Sequence, residues 1–138
     1  MNGWTLHPQL AADTHFVTSL PLCDVLLMND ARWAWLILVP RIDGAREWID
    51  LDRGAQHRLS DEVALASEAL RDLHAPHKLN VAALGNVVAQ LHVHVIARFR
   101  EDAAWPRPVW GVGEAAAYAS QVLPGVMQSL RDRLTRSE

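Results

Sequence analysis

Gly85-Asn86-Val87-Val88-Ala89-Gln90-Leu91-His92-Val93-His94-Val95-Ile96-Ala97-Arg98 is the stretch on which the reading of this chain turns. Gly85-Asn86 is a turn-forming pair, and the apolar run behind it predicts a strand over roughly Ala89–Phe99. Side chains on a strand alternate between its two faces. Leu91, Val93 and Val95 therefore face a core on one side, while Gln90, His92 and His94 form a polar row on the other. A strand rises about 3.3 Å per residue, which separates His92 from His94 by roughly 7 Å along it. That spacing is too wide for the two rings to bond each other in the simplest geometry. It suits two groups that flank one phosphate or ligate one metal.

Working backwards, Lys78–Leu84 pairs naturally with this strand across the Gly85-Asn86 turn. Before it, Leu51, Ala55, Leu59, Val63, Ala66, Leu70 and Leu73 recur every three or four residues. They predict one long amphipathic helix, about Asp52–His74, capped by Asp50 or Asp52. Further upstream, Thr14–Leu20, Leu22–Met28 and Trp33–Val39 read as strands, the last two forming a hairpin around Asn29-Asp30. Trp33–Val39 is apolar at every position, as in a central strand buried on both faces. Leu6–Asp13 suits a short helix or turn, with Pro8 in its first turn. Downstream, the loop Trp105-Pro106-Arg107-Pro108-Val109-Trp110 leads into a helix from about Glu114 to the C-terminus, broken at Pro124. The order of elements predicts an α+β fold, an antiparallel sheet of about five strands with helices on one side.

Composition sets the frame. With 138 residues, 50% of them hydrophobic and 21% charged, residues 1–138 are expected to form one globular domain. Its single cysteine, Cys23, has no partner for an internal disulfide, which favours a reducing compartment. A net charge of −3 offers no general attraction to nucleic acid or membranes. Met1–Leu10 lacks the pattern of a secretory signal, and the longest apolar run is too short to span a bilayer. The expectation is a cytoplasmic protein that binds neither nucleic acid nor membrane. The six tryptophans, at 4, 33, 35, 48, 105 and 110, read mainly as anchors of a core or interface, with a base-stacking role open to one or two. His7, His15, His57, His74 and His77 read as solvated or structural.

The chemistry rests on the His-x-His pair. A neutral imidazole, with an unperturbed pKa of about 6.5, is a competent nucleophile near neutrality. It can attack phosphorus to form a phospho-histidine that water then cleaves, dividing one difficult step into two. Its other ring nitrogen must be held by an acceptor so that the lone pair faces the substrate. The competing reading is a metal-dependent hydrolase, with His92 and His94 as ligands and a third from His74, His77 or a carboxylate.

With its glycine turn, Gln90-Leu91-His92-Val93-His94 and the apolar residues that follow, this stretch resembles the signature of the histidine-triad family. The resemblance extends through Leu38-Val39-Pro40, the long helix and Lys78-Leu79-Asn80. It implies an antiparallel sheet with helices, a homodimer, and hydrolysis or transfer of nucleotidyl groups without a cofactor. Cleavage would fall at the α-phosphate of a nucleoside phosphoramidate, dinucleoside polyphosphate or similar nucleotide. Position by position, His92 matches the nucleophile, His94 the third histidine that orients and supports it, and Asn80 an asparagine near the phosphate. Asn86 stands where the family usually has a glutamine.

The chain also departs from that pattern. Gln90 occupies the first histidine position; glutamine donates a hydrogen bond but surrenders no proton near neutrality. Val87 replaces a common serine or threonine. Arg32-Trp33-Ala34-Trp35 stands where a Gly-His pair is usual, leaving Asn29 and Asp30 as the candidates for ribose contacts. Arg98 is a candidate phosphate clamp, or else a surface or interface arginine, and Trp105 a candidate wall of the nucleotide pocket. A nucleotide-binding module with little catalysis is the third reading, motivated by Gln90 and Val87.

Overall fold

The computed structural model describes residues 3–136. Its elements run α1 (Pro8–Asp13), β1 (Thr14–Ser19), β2 (Cys23–Met28), β3 (Trp35–Pro40), α2 (Arg53–His74), β4 (Lys78–Ala82), β5 (Val93–Arg98) and α3 (Leu123–Leu134), with a single 3-10 turn at Trp48–Asp50. The five strands form one antiparallel sheet in the order β1-β2-β3-β5-β4. This is the α+β architecture that the pattern of apolar residues predicts.

Two apolar layers sandwich the sheet. On one face, Val25, Leu36, Leu38, Leu91, Val93 and Val95 meet Leu59, Ala66 and Leu70 of α2 and Leu130 of α3. On the other face, Leu26, Ile37, Val39 and Ile96 meet Trp33, Trp35, Val88 and Val109. That second layer is roofed by the N-terminal segment and the loop after β5 rather than by a long helix. Both faces of β3 and β5 are buried, as a run of uninterrupted apolar residues requires.

The long helix begins where the sequence places it. The Asp52 carboxylate accepts from the backbone N–H of Ala55 at 2.8 Å, satisfying an otherwise open donor of the first turn. Glu62, buried in the same helix, accepts from the backbone N–H groups of Leu22 and Cys23, each at 2.8 Å. It thereby ties α2 to the β1–β2 turn, a role that a carboxylate on a helix does not announce in sequence.

Three boundaries differ from expectation. The last strand begins at Val93 and the strand before it ends at Ala82, so residues 83–92 form a loop rather than a tight Gly85-Asn86 turn. Gly85 still matters there, since its φ of 72° is one that side-chain-bearing residues rarely adopt. The C-terminal helix begins at Leu123, well after Glu114. Residues around Ala116 spend their backbone groups on the β2–β3 turn instead: Ala31 N–H donates to the Ala116 carbonyl, and Tyr118 N–H to Asn29 Oδ1. Pro124 lies in the opening turn of α3, where its missing N–H costs nothing, and does not break the helix.

Candidate active site

His92 is the last residue of the 83–92 loop, and His94 is the second residue of β5. The loop is pinned from behind by a backbone bond from Leu91 N–H to the Ala45 carbonyl at 3.0 Å. His92 Nδ1 lies 2.6 Å from the carbonyl oxygen of Gln90. A carbonyl only accepts, so Nδ1 carries the proton and Nε2 keeps its lone pair. His92 is 7% exposed and borders a cavity of about 380 Å³. It also edges a smaller one of about 240 Å³ beneath Arg46 and Trp48.

The larger cavity is mostly apolar. Leu10, Met28, Trp35, Val88 and Trp110 line it, together with Asn86, His92 and His94. Trp35, Trp110, Met28 and Asp13 also border a second space of about 380 Å³ that reaches Asn29, Asp30 and Gly111. An apolar chamber with a few convergent polar groups, opening onto a more polar one, is the usual form of a small-molecule site.

The two histidine rings lean towards each other, with centroids 5.0 Å apart at an interplanar angle of 69°. His94 is 5% exposed, and its Nδ1 accepts from the indole N–H of Trp35 at 3.0 Å. Burial, reinforced by the neighbouring His92, pushes the His94 pKa down to about 4. At neutral pH His94 is therefore an uncharged ring. The edge of Trp110 closes over it, ring centroids 5.2 Å apart.

The structure separates the other expected residues. Asn86 lies on the cavity rim. Asn29 and Asp30 reach the adjoining space, but both are engaged: Asn29 Oδ1 holds Tyr118 N–H, and the 3%-exposed Asp30 pairs with Arg32 and accepts from Ala116 N–H. Burial works against the ionised Asp30, yet the Arg32 bonds and the two backbone donors still leave its pKa lowered.

Gln90 is not part of a polar row facing the ligand. Its Oε1 accepts from His7 N–H at 2.9 Å and its Nε2 donates to the Thr5 carbonyl at 2.8 Å. Both ends of the amide clasp the N-terminal segment, because the chain at Gln90 has not yet entered the strand whose alternation would turn it inward. Replacing Gln90 with alanine is expected to release residues 3–9, read as faster amide hydrogen exchange there.

Arg98 is neither a clamp on the cavity nor a surface residue. It is 1% exposed and bonds Asp102 through two nitrogens, Asn80 Oδ1 at 2.7 Å and the Arg107 carbonyl at 2.7 Å. The Asn80 amide oxygen is thereby engaged by Arg98. Trp105 lies against the Arg98 guanidinium and His77, 5.7 Å and 5.2 Å away, outside both chambers. Trp110 is the tryptophan of that loop that reaches the cavity.

Sequence reasoning missed Trp35 as a site residue. Its signal was strand alternation, which places Trp35 and Ile37 on the face that β5 shares with His94. Nor do His74 or His77 approach the pair. His74 borders spaces on the helix side and His77 accepts from Arg100. Among the described residues, no three His, Cys, Asp or Glu side chains are grouped to hold a metal.

The chain thus combines a five-stranded antiparallel sheet with a carbonyl-oriented imidazole at the edge of an apolar cleft. The HIT domain model matches residues 9–101, and the chain belongs to the HIT (histidine-triad) family. Members of this family are in general nucleotide-binding hydrolases and transferases. A histidine-triad protein from Bradyrhizobium japonicum is similar at 47% identity and a TM-score of 0.93, over 95% of this chain and 98% of the other. One from Marinobacter aquaeolei VT8 is also 47% identical, with a TM-score of 0.93 over 95% and 96% of the two chains. A third, from Sinorhizobium meliloti 1021, is 39% identical, with a TM-score of 0.93 over 96% and 98%. No curated protein matches the chain. No helix among the described residues is long and apolar enough to cross a membrane.

Proposed function

We propose that this protein is a nucleotide hydrolase or nucleotidyl transferase acting at the α-phosphate through a covalent nucleotidyl-His92 intermediate. The observation that carries the reading is the 2.6 Å contact between His92 Nδ1 and the Gln90 carbonyl, which frees Nε2 at the cavity edge. Nε2 attacks phosphorus, and the bond from phosphorus to the leaving group breaks with its electron pair. Water then attacks the phosphorus, the P–N bond breaks, and the nucleoside monophosphate leaves with the imidazole restored. The apolar chamber between Trp35, Trp110 and Met28 takes the nucleoside, with Asn86 near the phosphate and Asn29 and Asp30 at the far end.

Gln90 stands at the first position of the triad. It has no proton to lend, and its amide is committed to Thr5 and His7. A leaving group that departs without protonation, such as a phosphate of a polyphosphate chain, therefore suits the site better than an amine. The test is to incubate the protein with diadenosine polyphosphates and with adenosine phosphoramidate. Acid-free trapping and intact mass should then reveal one nucleotidyl group on His92, formed faster from the polyphosphates. Failure to label His92 during turnover would refute the mechanism.

The same commitment of Gln90 favours one other reading, a nucleotide-binding module with little catalysis. Tight nucleotide binding by the wild-type protein with no turnover of either substrate would select it.

The working form is a homodimer. β4 is an edge strand with one side unpaired in the sheet, and Val81 on it is 49% exposed. Unpaired edges that carry apolar side chains seek a second strand. Light scattering is expected to give twice the chain mass, and Val81→Lys to shift it towards the monomer. A monomeric wild-type protein at micromolar concentration would contradict this.

A further inference from the structure

Trp35 opens β3 opposite Ile96, which makes it the diagonal neighbour of His94 on the same sheet face. Its indole has one N–H and no acceptor, so it can bond only to an imidazole nitrogen that carries no proton. That nitrogen is Nδ1 of His94, 3.0 Å away. The proton of the neutral His94 ring is thus assigned to Nε2. His92 is held the opposite way, because the Gln90 carbonyl can only accept and draws the proton to Nδ1. Two adjacent rings with centroids 5.0 Å apart are fixed in opposite tautomers, one by an obligate donor and the other by an obligate acceptor.

We propose that Trp35 is a positioning residue that makes His94 a fixed hydrogen-bond donor, whose Nε2–H meets a phosphoryl oxygen of the substrate while the bare Nε2 of His92 attacks. The tautomer half of this proposal stands on geometry alone. The phosphoryl half rests on His92 being the nucleophile.

The physical case has three parts. With the proton on Nδ1, the indole N–H and the imidazole N–H would point at each other in a dry space, and both would lose their partner. Protonating both nitrogens is opposed by burial and by His92, so His94 stays neutral near pH 7 and gives no proton away. A neutral Nε2–H that neither reorients nor ionises is a preorganised donor of the kind that stabilises charge building on an oxyanion. Trp110 is the internal comparison. Its ring lies 5.2 Å from His94 at 80°, so it packs against the histidine through ring contact.

The test is nuclear magnetic resonance on protein labelled with nitrogen-15 in histidine and tryptophan. Long-range proton–nitrogen correlations of the wild-type protein should report His94 with an unprotonated Nδ1 and a protonated Nε2, and His92 with the reverse. A scalar coupling should cross the N–H···N bond from Trp35 to His94. Trp35→Phe keeps an aromatic ring but removes the donor, and His94 should then become a mixture of tautomers. Trp110→Phe should leave the His94 tautomer as it is in the wild type. With a turnover assay in hand, Trp35→Phe should lower kcat by about tenfold, the equivalent of one net hydrogen bond. A wild-type His94 protonated on Nδ1, a missing cross-bond coupling, or an unchanged tautomer in Trp35→Phe would each overturn the proposal. None of these spectra depends on whether His92 is ever nucleotidylated. A failure of the nucleophile therefore shows in the trapping experiment and a failure of Trp35 in the spectra.

Discussion

His92→Asn is expected to abolish the nucleotidyl-enzyme and to lower turnover by at least about three orders of magnitude, as removing a covalent nucleophile does. Asparagine is the informative replacement. Its amide nitrogen can take over the hydrogen bond that His92 Nδ1 makes to the Gln90 carbonyl, so the 83–92 loop keeps its anchor. What is lost is the second ring nitrogen, and with it the lone pair that attacks. Nucleotide affinity should change by only a few fold, because Met28, Trp35 and Trp110 still wall the chamber. The measurement is single-turnover kinetics beside equilibrium binding of a nucleoside monophosphate. Turnover that survives this substitution unchanged would move the nucleophile elsewhere or replace it with directly activated water.

Acidity provides an independent handle on the same pair. His94 is held neutral, with a pKa of about 4 against an unperturbed value of about 6.5. The unfolded chain therefore binds the extra proton first. The contribution of His94 to stability is complete above about pH 6.5 and is lost as pH falls through about 4.

The sheet was legible because each strand carries its own period. The strands flanking Asn29-Asp30 and the helix bearing Leu59, Ala66 and Leu70 bury their apolar residues as local pattern requires. His92 and His94 could be singled out because their His-x-His pair lies in an apolar run behind a glycine turn and resembles the histidine-triad signature. The errors cluster where tertiary contacts overrule local pattern. Gln90 reads as a strand residue facing a ligand, yet the backbone bond from Leu91 to Ala45 holds its segment outside the sheet. The alanines after Glu114 have helical propensity, but the hairpin at Asn29–Ala31 claims their backbone groups. Trp105 and Trp110 cannot be told apart from sequence. Arg98 bonds Asp102 and the Arg107 carbonyl, so an arginine that reads as a phosphate clamp or as a surface or interface residue instead ties down its own loop.

Asp102→Ala is expected to be among the most destabilising single substitutions in the chain. The Asp102 carboxylate, 4% exposed, receives two bonds from Arg98 and accepts from the backbone N–H groups of Phe99, Ala104 and Trp105. Burial alone would raise its pKa, but the Arg98 bonds and these backbone donors prevail and hold the carboxyl well below the usual carboxylate range. Truncating it leaves a guanidinium, 2% exposed, without its counter-ion and three amides without an acceptor. Breaking one side of a buried pair typically costs about 3–5 kcal/mol, a large part of the stability of a small domain. In a chain of this length that lowers Tm by roughly 10 °C or more. Because the folded pKa lies below the unfolded one, this stabilisation is present above about pH 4 and is lost as pH falls further. The variant should therefore show the larger deficit at neutrality and a smaller one in acid. The damage should also reach the cavity. Arg98 holds the Arg107 carbonyl at 2.7 Å, three residues before Trp110, so loosening that clasp frees the ring that closes over His94. Thermal unfolding at pH 7 and pH 3, with nucleotide affinity measured below Tm, tests both halves. A Tm within about 3 °C of the wild type would mean that the buried pair contributes little net stability, as some buried pairs do. Lost stability with undiminished affinity would instead separate this knot from the site it adjoins.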